Sequence, residues 1–309
     1  MRVLLALGGN AMTTPDGSAT AAAQIAAITT AMESVVALVE SGHEVVLTHG
    51  NGPQVGNILV KNELAAHVVP PVPLDWCGAQ TQGTVGFIAL NALQQAFAER
   101  GIDRPVTALV TRTRVDLDDV GFENPTKPIG RYLPAEQAAA MVEHGQIWQD
   151  RGEQGWRRVV ASPQPQEVLE AGAIATLVEQ GYVVIAAGGG GIPVVREPDG
   201  RFRGVEAVID KDLTAALLAE SLGIDALVIA TDVDHAILDY GTDAARPIEK
   251  VTVAQMEQYA ADGQFASGSM GPKVEAALRF ARTGGRSIIT SLNNIVEAVD
   301  DDFGTVITD

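Results

Sequence analysis

The chain has 309 residues, of which 46% are hydrophobic and 19% charged, a balance that excludes a disordered protein and is typical of a soluble globular one. Its formal net charge of -18 argues against non-specific nucleic-acid binding, because such binding needs basic residues that face phosphates. The single cysteine, Cys77, excludes an intrachain disulfide, and no apolar run approaches membrane-spanning length, so we expect a cytoplasmic protein without a membrane partner.

Glycine turns follow each of the first two predicted strands. Residues 3–7 form an apolar strand that leads into Gly8-Gly9-Asn10, and residues 44–48 form a strand that leads into Gly50-Asn51-Gly52. An amphipathic helix is predicted between them, at residues 21–39. Parallel strands with helical crossovers bring such turns together at the carboxyl edge of one sheet. We therefore expect the two turns to be neighbours.

A third strand and glycine turn carry the clearest chemical signal. The apolar run at residues 182–187 precedes four consecutive glycines, which let the backbone come close to a ligand. Lys211 then stands between Asp210 and Asp212 at the start of a predicted helix, and an amine at a helix N-terminus suits a phosphate oxygen. Taken alone, the same residues fit a plain loop and a solvated ion pair equally well.

The remaining elements complete the alternation of strands and helices. Residues 71–75 are predicted to be an irregular connector before a helix at 81–100, whose apolar face is core or a subunit contact. Lys273 is predicted to open a helix that runs through residue 282, with Pro272 at or just before its first turn. Four further strands are predicted, at residues 106–111, 226–230, 287–290 and 305–307.

Residues 115–163 interrupt this alternation and are interpreted as an inserted subdomain. The segment contains a short helix at 135–143 and a hairpin with its turn around Gly152, and it includes two of the three tryptophans. Lys127 lies in its turn-rich part, where the simplest interpretation is a solvated side chain.

Several familiar sites are absent from the sequence. It has no Gly-Lys dipeptide and hence no Walker A loop, and its glycine runs do not match the dinucleotide-binding fingerprint. The five histidines have no metal-ligand spacing, and no nucleophile elbow is evident. Glycine turns, helix N-termini and the lysines Lys127, Lys211 and Lys273 remain. They suit phosphoryl transfer, in which a metal ion bridges the phosphates.

The ordered motifs of the chain resemble those of the carbamate kinases, which belong to the amino acid kinase superfamily. The motifs that carry the resemblance are Leu7-Gly8-Gly9-Asn10-Ala11, residues 49–56, Pro73-Leu74-Asp75 with Cys77-Gly78-Ala79, residues 124–130, 162–166, 188–193, 204–213, 231–234 and 268–274. Relatives in other branches have a lysine shortly before the first Gly-Gly. Here Ala6 precedes Leu7, so Lys211 is the candidate to replace that lysine.

The resemblance implies a fold and an activity. The fold would be α/β, a three-layer αβα sandwich with a mainly parallel sheet, covering residues 1–309 with the protruding subdomain at 115–163. Residues up to about 180 would form the substrate side and those from about 181 the nucleotide side. The activity would be a reversible transfer between carbamoyl phosphate and ADP that gives carbamate and ATP with Mg²⁺. A homodimer and a role in arginine catabolism are also implied.

By the same resemblance each motif residue receives a role. The catalytic residues would be Lys211, Lys273, Asp212 and, from the subdomain acting as a lid, Lys127. The substrate would be surrounded by Gly8, Gly9, Asn10, Gly50, Asn51, Gly52, Gly189 and Gly190. The nucleotide would contact Lys211, Thr231, Asp232, Val233, Asp234, Met270, Gly271 and Lys273. No dedicated metal ligand is implied, because the phosphates would hold Mg²⁺.

The sequence departs from the family pattern at three positions, and two alternative functions stay open. Ala161 and Trp76 differ from the usual residues in ways that affect packing, whereas His235 stands where a lysine that would affect nucleotide affinity is often found. One alternative function is a kinase of another small carboxylate, and the other is a nucleotide-sensing module without catalysis. For Asp212 the simpler alternative is an acid in the first turn of a helix.

Overall fold

The structure is a computed structural model that describes residues 1–9, 12–13, 18–143, 145–265 and 270–309. Asn10, predicted to bind substrate, lies outside these residues, as do Ala11 and Gly268-Ser269 of the quoted motifs.

Seventeen strands occur in the described residues. In chain order they are β1 Arg2–Leu7, β2 Glu44–His49, β3 Val106–Ala108, β4 Arg112–Arg114, β5 Lys127–Leu133, β6 Ile147–Asp150, β7 Trp156–Val160, β8 Glu167–Val168, β9 Val183–Ile185, β10 Ile192–Arg196, β11 Phe202–Gly204, β12 Ala226–Thr231, β13 Ile237–Leu238, β14 Arg246–Pro247, β15 Lys250–Thr252, β16 Arg286–Ser291 and β17 Thr305–Thr308.

Ten α-helices connect these strands within the same part of the chain. They are α1 Ala21–Glu40, α2 Gly52–Ala65, α3 Leu74–Arg100, α4 Val120–Glu123, α5 Ala135–Glu143, α6 Ala171–Glu179, α7 Lys211–Leu222, α8 Val253–Ala261, α9 Met270–Ala281 and α10 Ile295–Asp300.

An eight-stranded sheet forms the centre of the molecule. Its strand order is β15-β17-β16-β12-β1-β2-β9-β3, and every neighbouring pair is parallel except β16 and β17. Helices cover both faces, so β1 reads as an unbroken apolar run: Val3 and Leu5 join one core cluster and Leu4 and Ala6 the other. The predicted αβα sandwich with a mainly parallel sheet is confirmed.

Helix α1 corrects one expectation about membranes. By length and composition alone it could span a bilayer, since it has 20 residues and a mean hydropathy of 1.6. Ile28, Met32 and Val35 are nevertheless buried in the core cluster on one face of the sheet. Thr20 caps its first turn by accepting a hydrogen bond from the amide of Ala23. A core helix of a globular protein has these same properties, so the span is weak evidence for a membrane segment.

Segment 115–163 builds a small sheet of its own. Strands β5, β7 and β6 lie in that order, and the predicted helix at 135–143 and the hairpin around Gly152 are both confirmed. Leu133, Ala138 and Trp148 form a separate apolar cluster there. The interpretation of this segment as a lid stays a prediction.

Some predicted boundaries and elements were wrong. Helix α3 begins at Leu74 instead of residue 81, because the first turn follows directly on the extended Pro73. Helix α9 begins at Met270, which puts Pro272 inside its first turn, and β3 ends at Ala108. A four-stranded sheet, in the order β11-β10-β4-β8, was not predicted at all, because its strands are short and pair across long sequence separations.

Candidate functional site

The glycine turns after β1 and β2 meet at one edge of the central sheet, as the sequence predicts. They approach so closely that a Cβ added to Gly50 would lie 2.7 Å from the amide nitrogen of Gly9. Glycine is therefore required at position 50 for the two turns to touch. Helix α2 begins directly afterwards at Gly52, with Pro53 in its first turn, and directs its amino end toward this edge.

Asp212 lies at the centre of the site and binds two lysines. One carboxylate oxygen accepts a hydrogen bond from Lys211 Nζ, and the other accepts one from Lys273 Nζ at 3.0 Å. The Asp212 side chain is only 4% exposed, and those of Lys211 and Lys273 are 13% and 16% exposed. A single carboxylate thus holds two ammonium groups together at the amino ends of α7 and α9.

Burial and charge oppose each other within this trio. Burial by itself raises the pKa of the Asp212 carboxyl, but attraction to Lys211 and Lys273 outweighs it and holds that pKa below its ordinary value. Burial also lowers the pKa of Lys211, against the attraction of Asp212, and the positive charge of Lys273 lowers it further. Two positive charges with one negative charge leave a net positive site, which favours an anionic ligand.

The four-glycine turn at 188–191 is packed too tightly for any side chain. A Cβ on Gly190, whose φ is +87°, would lie 2.6 Å from the carbonyl oxygen of Ile209. The carbonyl oxygen of Gly190 accepts hydrogen bonds from the hydroxyls of Thr113 and Thr214, each at 2.9 Å. The turn is therefore attached to β4 and α7 and forms a rigid wall beside Lys211.

His49, the last residue of β2, is buried beneath this wall. Its pKa is lowered to about 4, mainly by burial, with a smaller contribution from the charge of Lys211, while the hydrogen bond with Gly50 acts in the opposite direction. His49 Nδ1 donates to the carbonyl oxygen of Gly50 at 2.9 Å, which fixes the tautomer because a carbonyl only accepts. Its other ring nitrogen faces Gly188, where a Cβ would lie 2.4 Å away. His49 is thus a neutral spacer under the turn.

Two basic residues of the subdomain make ion pairs across the mouth of the site. Lys127 Nζ donates to Asp210 Oδ2 at 2.6 Å, and Asp210 also caps α7 by accepting from the amide of Asp212 at 2.9 Å. Arg131 pairs with Glu63 of α2 at 3.0 Å. The subdomain thus contacts α2 through Glu63 and the N-cap residue of α7, Asp210.

Two clefts share this centre. One, of about 610 Å³, is lined by Gly50, Asn51, Gly189 and the subdomain residues Lys127 and Arg131, among others. The second, of about 550 Å³, is lined by residues that include Asp212, Thr231, Asp232 and Lys273. Gly9, Lys127 and Lys211 line both clefts. Two ligands in neighbouring clefts would thus meet at Lys211.

The predicted nucleotide residues are only partly brought to the second cleft. Thr231 and Asp232 line it and share a hydrogen bond of 3.0 Å. Asp234 instead accepts from Asn294 at 2.8 Å, and Val233 is not in the lining. Met270 and Gly271 form the first turn of α9 behind Pro272 and Lys273, which do line the cleft.

Comparison with known proteins decides the family. The model of the amino acid kinase family matches residues 1–291. Carbamate kinase from Pyrococcus horikoshii is 43% identical, with 99% of each chain covered, and carbamate kinase 3 from Staphylococcus aureus is 45% identical over the same share of both chains. A solved structure, carbamate kinase from Giardia lamblia bound to AMP-PNP, superposes with a TM-score of 0.93 at 41% identity, covering 99% of this chain and 98% of that one.

The chain belongs to the amino acid kinase family, and within it to the carbamate kinases. Its first motif departs from that of other branches at Ala6, which lies in β1 and is fully buried in the core. Lys211, on the neighbouring helix α7, points instead at the junction of the two clefts of this carbamate kinase.

Sequence reasoning missed four residues at this kinase site. Asp210 could have been found, because an aspartate just before a helix is a common N-cap. His49 and Gln54 lie inside the quoted motif at residues 49–56, but neither was given a role of its own. Gln82, which contacts the glycine turn from α3, had no sequence signal, since nothing local marks a glutamine as buried. Among the described residues, no cluster of three His, Cys, Asp or Glu side chains could hold a metal ion.

Proposed function

We propose that the protein transfers a phosphoryl group reversibly between carbamoyl phosphate and ADP, giving carbamate and ATP. The single observation that carries this proposal is the trio of Lys211, Asp212 and Lys273 at the junction of two clefts. Carbamoyl phosphate would occupy the cleft with the glycine turns, and the nucleotide would occupy the cleft with Thr231 and Asp232.

The transfer needs positioning and charge neutralisation more than covalent chemistry. In the ATP-forming direction an oxygen of the ADP β-phosphate attacks the phosphorus of carbamoyl phosphate, and the bond from phosphorus to the carbamate oxygen breaks. No proton has to move, because carbamate leaves as an anion. Charge spreads over the three oxygens of the migrating group, and Lys211 and Lys273 would stabilise it there.

The backbone would supply the other donors. The turns at Gly8 and Gly9 and at Gly50 and Asn51 face the junction of the clefts, and helix α2 adds the positive end of its dipole. Asn51 is held by a hydrogen bond of 2.8 Å to Thr81, so its backbone is fixed before a ligand arrives. Gly52, Gly189 and Gly190 would let the substrate approach without a steric barrier.

Magnesium would be held mainly by the phosphates. Asp212 has one lysine on each carboxylate oxygen, so its negative charge is already balanced and it is a poor ligand for a further cation. Mg²⁺ bound with the nucleotide would offset the negative charge of the phosphates. Asp232 lines the second cleft, where its carboxylate accepts a hydrogen bond from Thr231 and would be a candidate to contact a water of the metal.

Lys127 would act as a contact from the lid. It reaches the site from β5 of the subdomain and lines both clefts, and its ion pair with Asp210 is one-third exposed on the lysine side. Because the Lys127 side of the pair is partly open to the cleft, a phosphoryl oxygen could replace Asp210 as its partner when substrate binds.

We further propose a cytoplasmic homodimer with a role in arginine catabolism. Support for the dimer comes from apolar side chains that are left exposed on and near α3: Trp76, Phe87 and Val110 are 60%, 63% and 64% exposed. Large exposed apolar residues in one region are typical of an interaction surface. Sedimentation of the purified protein, compared with a Phe87→Glu variant, tests this assignment.

The activity is tested by mixing the protein with carbamoyl phosphate, ADP and Mg²⁺. We expect ATP to form, and no ATP at micromolar enzyme would overturn the proposal. Adding acetyl phosphate in competition then separates a carbamate kinase from a kinase of another small carboxylate. If acetyl phosphate is used as well as carbamoyl phosphate, the acceptor has been assigned wrongly.

A further inference from the structure

Gln54, in the first turn of α2, is a buried amide without a hydrogen-bonding partner. Gln54 is 6% exposed, and neither Oε1 nor Nε2 has a hydrogen-bonding partner among the residues that the structure describes. Buried polar groups in native proteins are almost always hydrogen-bonded, because an unpaired one has lost its water without replacement. An exception of this kind at a binding cleft calls for a partner that comes from outside the chain.

Gln82, in α3, is a second buried glutamine, and its side-chain amide is paired. It is also 6% exposed, and its amide makes three hydrogen bonds. Its Nε2 donates to the carbonyl oxygens of Thr111 and Gly188 at 3.1 and 3.0 Å, and its Oε1 accepts from the amide of Thr111 at 2.9 Å. Gln82 therefore has a structural role that its contacts explain. Gln54 has no contact of this type.

The position of Gln54 indicates which ligand would complete it. It lines the cleft that also contains Gly50, Asn51, Lys127 and Lys211, and it follows Asn51 by three residues. The lysines there suit the phosphoryl end of a substrate. Gln54 is neutral and offers one acceptor and one donor group, so it suits the uncharged end of an acyl phosphate.

We infer that Gln54 is a specificity-determining residue that recognises the carbamoyl group. Its Oε1 accepts a hydrogen bond from the substrate amino group, and its Nε2 donates to the acyl oxygen. The inference rests on the function proposed above and deepens it. Acetyl phosphate has a methyl group where carbamoyl phosphate has the amino group, so its binding would leave Oε1 unpaired.

A site built to bond a substrate N-H rejects an analogue that lacks this group far more strongly than an apolar pocket would. The reason is that the buried protein group stays unpaired in the wrong complex. The same reasoning explains why an unpaired amide persists in the free protein: its cost in stability is recovered only when the correct substrate binds.

The test replaces Gln54 by methionine, which is similar in length but has no amide. We expect kcat/KM for carbamoyl phosphate to fall about 10- to 100-fold, which corresponds to the loss of one or two neutral hydrogen bonds. The KM for ADP stays unchanged. The inhibition constant of acetyl phosphate as a competitor of carbamoyl phosphate should rise by a smaller factor, because acetyl phosphate can lose only the hydrogen bond from Nε2 to its acyl oxygen. This constant reports binding whether or not acetyl phosphate is turned over.

Thermal stability provides a second readout. Gln54→Met should raise Tm, because it removes an unpaired buried amide, whereas Gln82→Met should lower Tm, because it leaves the partners of Gln82 unpaired. If Gln54→Met keeps the wild-type kcat/KM for carbamoyl phosphate, or weakens both acyl phosphates equally, the inference is wrong.

Two further measurements keep the outcome clear. Should Gln54→Met fail to fold, Gln54→Asn retains the polar group but is too short to reach the same atoms, and it should show the same selective loss. Failure of the proposed function is recognised separately, because the wild-type protein would then form no ATP from carbamoyl phosphate.

Discussion

The cations at the base of the site and those of the subdomain are arranged in opposite ways. Lys211 and Lys273 share one carboxylate that is 4% exposed, and they are themselves mostly buried. Lys127 and Arg131 each pair with a separate acid across the cleft, and their side chains are 33% and 48% exposed. Buried charges are costly to separate, whereas exposed pairs contribute little. We therefore expect the base to be fixed before ligands bind and the subdomain to be free to move, which stays a prediction.

Replacing Asp212 should have the largest effect, because it removes the only carboxylate of the buried trio. Asp212→Asn would leave two buried ammonium groups without a counter-charge, which costs about 3 to 5 kcal/mol of unfolding free energy. We expect turnover in the ATP-forming assay to fall about 10³-fold as the lysines separate. Urea unfolding and initial rates measure the two effects.

A control for this variant is Asp225→Asn. Asp225 accepts a hydrogen bond from the backbone amide of Arg2 at an exposed position far from the clefts. The Asp225→Asn variant should keep wild-type turnover. A comparable loss in both variants would mean that the buried trio has no special role.

Removing Lys211 or Lys273 tests directly the difference between these buried lysines and the more exposed cations of the subdomain. Lys211→Ala and Lys273→Ala should each reduce kcat about 10²- to 10³-fold, or about 3 to 4 kcal/mol, as expected for one preorganised donor to a transition state. Lys250→Ala is the matched control, because Lys250 forms an exposed pair with Asp302 at 2.8 Å. A loss of tenfold or less in Lys211→Ala and Lys273→Ala would show that the two lysines act like surface residues and do not stabilise the transition state.

His49 makes the free energy of unfolding of the protein dependent on pH. Its pKa is about 4 in the folded protein and 6.5 in its ordinary state, so the unfolded chain binds the proton more readily. Stability from this residue is complete above pH 6.5 and is lost as pH falls toward 4. The difference corresponds to about 3 kcal/mol at ~1.4 kcal/mol per pKa unit.

Unfolding in urea at pH 7 and pH 4.5 measures this dependence, with His49→Gln as the variant that cannot titrate. The variant should show a smaller loss than the wild-type protein. Asp212 and Asp302, whose pKa values are also lowered, affect stability only at lower pH. An equal slope in both proteins over this range would show that His49 accepts a proton without cost.

The lid contact should give the smallest effect. Lys127→Ala removes a cation whose pair with Asp210 is partly exposed, so we expect a loss of about tenfold, mainly as a higher KM for carbamoyl phosphate, and little change in Tm. The effect should shrink further at high salt, because exposed charges are screened. A loss as large as that of Lys273→Ala would remove the distinction between lid and base.

Parts of this site could be predicted because their signals are local. Strand, glycine turn and helix recur in the sequence, and parallel strands must bring such turns to one edge, so Gly9, Gly50 and Lys211 were expected together. The aspartate before α7 is a cap that local rules recognise. The start of α3 was missed because Pro73 permits a helix to begin directly after it, which the turn-rich sequence around it concealed.

The sequence by itself determined the main alternation of strands and helices in the central sheet, the glycine turns and the resemblance to a family. These features depend on hydrophobic periodicity and on backbone freedom, which neighbouring residues specify. Only the tertiary structure decided that Lys273, 61 residues after Asp212, shares its carboxylate, and that Gln54 is left unpaired while Gln82 is bonded. Burial and pairing arise from contacts between distant segments, and no local pattern encodes which polar group will find a partner.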